Sequence, residues 1–362
     1  MKLFARRFAA LAIACVLPTV ALALEDIELP PGFMIEEYAD VPHARSLALG
    51  DNGTVFVATH RGRSVYAVVP NGTGTSTIEL VGGLNTPNGI AFHNGDLFVA
   101  EIDKVTRYAD IESNLHNVPE ATVLDIDLPS EKHHGSRYIG FGPDNKLYIS
   151  IGAPCNICER EGFGSIVRMN SDGSGRETFA EGIRNSVGLT WDPLNGELWF
   201  TDNGRDMLGD DFPPGELNHA SASGQHFGFP YCHAGEILDP KLGSGKDCSE
   251  YRAPAWKLGP HVAPLGLAFY TGDMFPAEYH NQVFIAEHGS WNRSKKIGYR
   301  VTLVRLDDGV AVSYEDFASG WLQNESVSGR PVDVLVLADG SMLVSDDHAG
   351  KIYRISYSSA EN

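Results

Sequence analysis

One phrase returns six times along this chain: an apolar strand, a turn of Gly, Asp or Asn, and a second strand. It begins near Leu47 (LALGDNGTVFVAT), Ile90 (IAFHNGDLFVA), Ile139 (IGFGPDNKLYISIG), Leu189 (LTWDPLNGELWFTDNG), Leu267 (LAFYTGDMFPAEYHNQVFIAE) and Val334 (VLVLADGSMLVSDD). A third strand often follows, and helical periodicity is almost absent beyond the first residues. The second strand of each unit reads as alternating. Units of this size cannot bury a face alone, so they stack on their neighbours, and radial repetition leaves few open sheet edges. The expectation is an all-β fold, a six-bladed β-propeller with long top-face loops. A β-sandwich would not explain the same phrase six times.

The formal charge is -19 at pH 7. Such a surface repels nucleic acid and anionic lipid, so an anionic ligand needs a local cluster of bases. That cluster has a place. A His or Arg stands just before the repeated phrase at His134 (HHGSRYIGFG), Arg184 (GIRNSVGLTW) and Arg330 (GRPVDVLVL). The fifth unit carries Arg293, Lys295 and Lys296 in its loop EHGSWNRSKKIG. Equivalent positions on different blades converge on one axis, so His134, Arg184, Lys296 and Arg330 suit a ligand with several carboxylates or phosphates.

The first residues read as an export signal. Lys2, Arg6 and Arg7 precede an apolar run from Phe8 to Ala23 that ends in Ala21-Leu22-Ala23. The expected organisation is a signal peptide at 1–23 and one domain at 24–362. The mature chain is then periplasmic or secreted and has no membrane span. It keeps four cysteines, Cys155, Cys158, Cys232 and Cys248. Proximity favours Cys155–Cys158 and Cys232–Cys248 bridges among the three possible pairings. A four-thiolate zinc site is the alternative, although its spacing matches no common ribbon.

Two chemistries are written in the loops. His134, beside His133 and Arg137, is a candidate general base. The stretch Asp202-Asn203-Gly204-Arg205-Asp206, with Asp210, Asp211 and Glu216, is an oxygen-rich loop that suits Ca²⁺, without EF-hand spacing.

In order, H-G-S-R, G-I-R-N-S-V-G-L, T-D-N-G-R-D with a later E-L-N, FGFPYC, A-P-L-G-L-A-F-Y, E-H-G-S-W-N-R and G-R-P-V-D span nearly the whole mature chain. In these motifs the chain resembles the soluble quinoprotein glucose/sorbosone dehydrogenase family, most nearly its sorbosone-dehydrogenase-like branch. The resemblance implies pyrroloquinoline quinone (PQQ) and Ca²⁺ on the top face of a six-bladed propeller. It implies oxidation of an aldose sugar or sorbosone-type aldehyde, with hydride passing to the quinone and electrons to an external acceptor. By motif position His134 would be the catalytic base, and Arg184 and Asn185 would lie at the quinone. Lys296 and Arg330 would bind its carboxylates, with Asp346 and His261 near the cofactor. Gly204 and Arg205 would offer carbonyls to Ca²⁺, and Glu216 would serve a structural Ca²⁺. Three positions depart from better-known members. His133 stands where an acid is common, Val332 where a second Arg is found, and His261 where a small hydroxyl residue is found. Two other readings remain open here. One is a Ca²⁺-dependent propeller lactonase using Asn88, Asn185 and Asp202; the other is a propeller that binds without catalysis.

Overall fold

A computed structural model describes residues 24–72 and 74–359; the expected signal segment 1–23 lies outside the described residues. Six sheets built on four antiparallel strands follow one another along the chain as the blades of a β-propeller. Their first strands start at Leu47, Gly89, Ile139, Leu189, Pro264 and Pro331, within three residues of the six places where the phrase begins. The turn from first to second strand needs left-handed backbone, supplied for example by Asn145 (φ 59°) and Gly340 (φ 83°).

The second strands are not the alternating strands expected. Val55–Thr59, Leu147–Ile151, Leu198–Asp202, Val283–Glu287 and Met342–Asp346 are buried at every position. Each blade is covered on both faces by its neighbours, so its middle reads as a continuous apolar run. The core accordingly divides into six wedges, one between each adjacent pair of blades. Phe98 and Val105 of blade 2 meet Leu147 and Ile149 of blade 3 in one wedge. In another, Trp199 and Leu217 of blade 4 meet Val283 and Ile285 of blade 5.

The ring is closed by a strand from the other end of the chain. Phe33–Asp40 pairs antiparallel with Lys351–Tyr357 as the outer strand of blade 6. The wedge joining Val55, Val57 and Val68 to Leu343 and Ile352 completes the circle. Near the axis Asp333 ties distant blades together. It accepts hydrogen bonds from the Leu47 N–H at 2.9 Å and from the Tyr138 hydroxyl at 3.2 Å.

Both favoured disulfides form, Cys155–Cys158 and Cys232–Cys248. The long insertion after Ala220 adds Gln225–His226 to the edge of blade 3 and holds the second bridge. No described helix is long and apolar enough to cross a membrane.

Candidate active site

Two buried acids at equivalent blade positions present two arginines. Asp202 ends the second strand of blade 4; its carboxylate accepts from the Arg184 N–H at 2.8 Å and the Asn185 N–H at 2.6 Å. Asp346 ends the second strand of blade 6 and accepts from the Arg330 N–H at 2.9 Å and from His348 and Ala349. Burial pushes both carboxyls up, Asp202 to about 6, while these N–H donors pull the other way. Each acid thus fixes the loop that enters its blade, and the repeat delivers the two guanidiniums to one mouth.

They serve that mouth differently. Arg184 is 4% exposed and every N–H direction of its guanidinium is engaged. Nε donates to the Asn156 carbonyl at 3.0 Å, and Nη1 to the carbonyls of Asn203 (3.1 Å) and Gly204 (2.9 Å). Nη2 donates to Asn156 Oδ1 and Asp206 Oδ2, each at 2.9 Å. It is a fixed charge rather than a free donor. Arg330 spends only Nε, on the His288 carbonyl at 3.2 Å, and its cation lies 5.9 Å over the Tyr299 ring. Among the described residues no carboxylate lies within 4 Å of it, so its two terminal nitrogens remain for a ligand.

His134 sits in left-handed backbone (φ 48°), and its Nδ1 lies 2.8 Å from the Ala153 carbonyl. A carbonyl only accepts, so Nδ1 carries the hydrogen and Nε2 keeps its lone pair. Burial, then the Arg184 charge, lowers its pKa to about 3. The ring is neutral through the physiological range.

His134, Arg184, Asn185, Gly204, His261 and Arg330 line one cavity of about 260 Å³ at the top of blades 3 to 6. The same cavity takes His288, Trp291 and Asn292, which sequence reasoning passed over, and Asn203 and Asp206 from the oxygen-rich loop. His288 Nε2 donates to Asp347 at 2.9 Å, and Asp347 receives Arg45 Nη1 at 2.7 Å. Burial brings His288 down to about 4 although Asp347 opposes it; burial would raise Asp347, but the His288 bond and the Arg45 charge hold that carboxyl far below the usual range. His288 stood in the quoted EHG phrase, which was its only signal. Arg45, two residues before the first phrase at Leu47, carries the same signal of a base ahead of a blade.

Four expected site residues do not reach the cavity. Lys296 turns to the neighbouring hairpin, where Nζ donates to the Glu325 carbonyl at 2.6 Å, while His288 of the same loop is held at the cavity by Asp347. Asp346 lies beneath Arg330 as its backbone acceptor. The Arg205 side chain pairs with Asp239. Glu216 is buried and accepts from the Ala234 N–H at 2.7 Å and Asn218 Nδ2 at 3.0 Å.

The arrangement asks for a particular ligand. Among the described residues, the buried Oδ1 atoms of Asn185 and Asn292 have no hydrogen-bond partner, and Arg330 makes no salt bridge, feeling the Asp347 charge only from a distance. Unsatisfied acceptors beside an unpaired guanidinium suit an anionic molecule that also carries N–H or O–H donors. PQQ, a tricarboxylate with a ring N–H, has that chemistry. The calcium set fits less well. Gly204 already offers its carbonyl to a guanidinium, Glu216 is spent, and among the described residues no three His, Cys, Asp or Glu side chains cluster as metal ligands.

The TrAA12-like family profile matches residues 27–358. An uncharacterized protein of Borreliella burgdorferi is 32% identical over 94% of this chain and 94% of its own length. In fold, the chain is similar to a Trichoderma reesei carbohydrate-active enzyme of family AA12, with TM-score 0.81, 19% identity, and coverage of 92% of this chain and 98% of that one. It is similar to the PQQ domain of pyranose dehydrogenase from Coprinopsis cinerea in its holo form (TM-score 0.78, 19% identity, 91% and 97% coverage). The soluble aldose sugar dehydrogenase of Escherichia coli also shares the fold (TM-score 0.71, 18% identity, 90% and 100% coverage).

Proposed function

The chain belongs to the TrAA12-like family, and from that premise we propose that it is a PQQ-dependent sugar dehydrogenase acting outside the cytoplasm. The observation that carries this reading is one cavity holding both an unpaired guanidinium, Arg330, and a histidine with its Nε2 lone pair free, His134. The similar structures include a PQQ domain in holo form and an aldose sugar dehydrogenase, which is the chemistry carried over here.

Bound PQQ supplies the two-electron acceptor for a hydride. The protein supplies position and charge. Arg330 takes a carboxylate through its free nitrogens, while Arg184 adds a fixed positive field from below. His288, steadied by Asp347 and Arg45, is a second positioned donor or acceptor at the wall. Asn185 and Asn292 offer orphaned carbonyl oxygens to ligand N–H or O–H groups.

His134 Nε2 accepts the proton of the substrate hydroxyl. Its proton affinity is low in the empty cavity because it is buried near Arg184. An anionic ligand offsets that charge and raises it, so the base gains strength when the cavity is loaded. Trp291, 71% exposed at the rim, offers an indole face on which a sugar ring can stack.

The proposed substrate is an aldose sugar or a sorbosone-type aldehyde, and electrons leave to an external acceptor. The reading routes no step through calcium, since two of its expected donors, the Gly204 carbonyl and Glu216, are otherwise engaged. The two disulfides support export, with 24–362 as one mature domain. Two of the three lactonase candidates are committed, since Asn88 Oδ1 accepts from Arg45 Nε at 2.8 Å and Asp202 is spent on backbone N–H groups; Asn185 keeps a free oxygen but has no second side-chain donor of that set beside it to hold a metal.

The test is reconstitution of purified protein with PQQ, with and without added Ca²⁺, followed by dye reduction across a panel of aldoses and aldehydes. Sugar-dependent reduction that requires PQQ supports the reading. Its absence with every substrate and both calcium conditions contradicts it.

A further inference from the structure

Residues 153–156 form a short strut between the two groups on which the site depends. The Ala153 carbonyl receives His134 Nδ1 at 2.8 Å, and the Ala153 N–H donates to the Arg184 carbonyl at 2.7 Å. Three residues on, Asn156 clasps the Arg184 side chain twice, by its carbonyl to Nε (3.0 Å) and its Oδ1 to Nη2 (2.9 Å). The same amide grips Asp206: Oδ1 accepts from the Asp206 N–H at 2.8 Å, and Nδ2 donates to the Asp206 carbonyl at 3.0 Å. Asp206 in turn holds Arg184 Nη2 at 2.9 Å. Asn156 is therefore the corner of a closed triangle with Arg184 and Asp206.

A half-buried loop without regular structure would not hold such a corner unaided. Asn156 lies inside the Cys155–Cys158 bridge, which closes a four-residue ring around it. A ring that small removes most of the loop's alternative conformations. The bridge spans only three residues in sequence and ties no blades together, so its constraint falls on this loop.

We propose that Asn156, held by the Cys155–Cys158 cross-link, is a positioning residue for Arg184, and that this loop sets where the fixed cation stands in the cavity. The inference draws on the quinone reading only for its cofactor readout.

The test compares Asn156→Ala, Asn156→Asp, the double variant Cys155→Ser/Cys158→Ser, and Arg184→Ala. Three quantities are measured: PQQ affinity by absorbance titration, phenylglyoxal labelling of Arg184 by peptide mass spectrometry, and melting temperature. The clasp predicts that Asn156→Ala and the cysteine variant raise Arg184 labelling about fivefold or more and weaken PQQ binding about tenfold. Asn156→Asp, which keeps the Oδ1 acceptor, stays nearer to wild type on both. Melting of Asn156→Ala stays close to wild type. Should the cysteine variant melt early, Asn156→Ala decides alone, because it leaves the cross-link intact.

Arg184 labelling at the wild-type rate in Asn156→Ala overturns the inference. If Arg184→Ala weakens PQQ binding while Asn156→Ala changes neither affinity nor labelling, the inference falls and the quinone reading stands. If labelling rises while no variant, Arg184→Ala included, alters PQQ binding, the positioning role stands and the quinone reading fails for Arg184.

Discussion

His134 donates through Nδ1 to the carbonyl of Ala153 at 2.8 Å. That single bond fixes the tautomer, leaves Nε2 as the basic atom, and makes the ring a candidate base despite its low proton affinity.

Replacing the base should separate chemistry from binding. His134→Ala is expected to lower kcat by about 10²–10⁴-fold, the usual worth of a positioned general base. PQQ affinity should change by only a few fold. Steady-state kinetics and a PQQ titration on the same preparation check this, and turnover near wild type would remove His134 from the base role.

The two cations from neighbouring units should behave differently. Arg330→Ala removes the guanidinium with free nitrogens and is expected to weaken PQQ binding about 10- to 100-fold, as for loss of a charge-assisted bond. Lys296→Ala should leave affinity within about twofold, because Nζ is spent on the Glu325 carbonyl. Equal losses in the two variants would contradict the cavity described above.

Asp333 should leave a signature in stability against pH. Burial raises its carboxyl to about 7, while the Leu47 and Val334 N–H groups and the Tyr138 hydroxyl pull it down. The folded pKa lies above the unfolded value of about 3.9. The folded state therefore holds the extra proton between about pH 4 and 7. This contribution is full below about pH 4, falls as pH rises to about 7, and is flat beyond, an effect of a few kcal/mol. Asp333→Asn cannot ionise. Its loss of melting temperature from pH 5 to pH 8 should be smaller than that of wild type, and an unchanged loss would refute the assignment.

Trp291 tests the sugar end of the cavity. Its indole is exposed, so truncation leaves the fold alone. Trp291→Ala is expected to raise KM for the preferred sugar about 5- to 20-fold, in line with the 1–2 kcal/mol carried by an exposed aromatic contact. PQQ affinity should not change. A KM equal to wild type would place the sugar elsewhere.

The propeller was legible because each blade opens with its own turn, and local text suffices to find six. The closing strand Phe33–Asp40 was not, since its partner Lys351–Tyr357 lies at the other end of the chain and half its side chains face solvent. The resemblance read from the motifs is borne out by the family match and the shared fold. In the site, His134, Arg184 and Arg330 were visible as charged residues recurring before a blade. His288 was not, because it shares a loop with three more conspicuous bases and the Asp347 that holds it at the cavity comes from a distant part of the chain. Asn156 carries no pattern at all; its role comes from the folding of a four-residue ring against Arg184.

The most direct measurement is an equilibrium titration of the purified, PQQ-free protein with PQQ, with Arg330→Ala run in parallel. The account predicts saturable binding of one PQQ per chain, weakened at least tenfold in the variant. No saturable binding by the wild-type protein, with or without Ca²⁺, would contradict it.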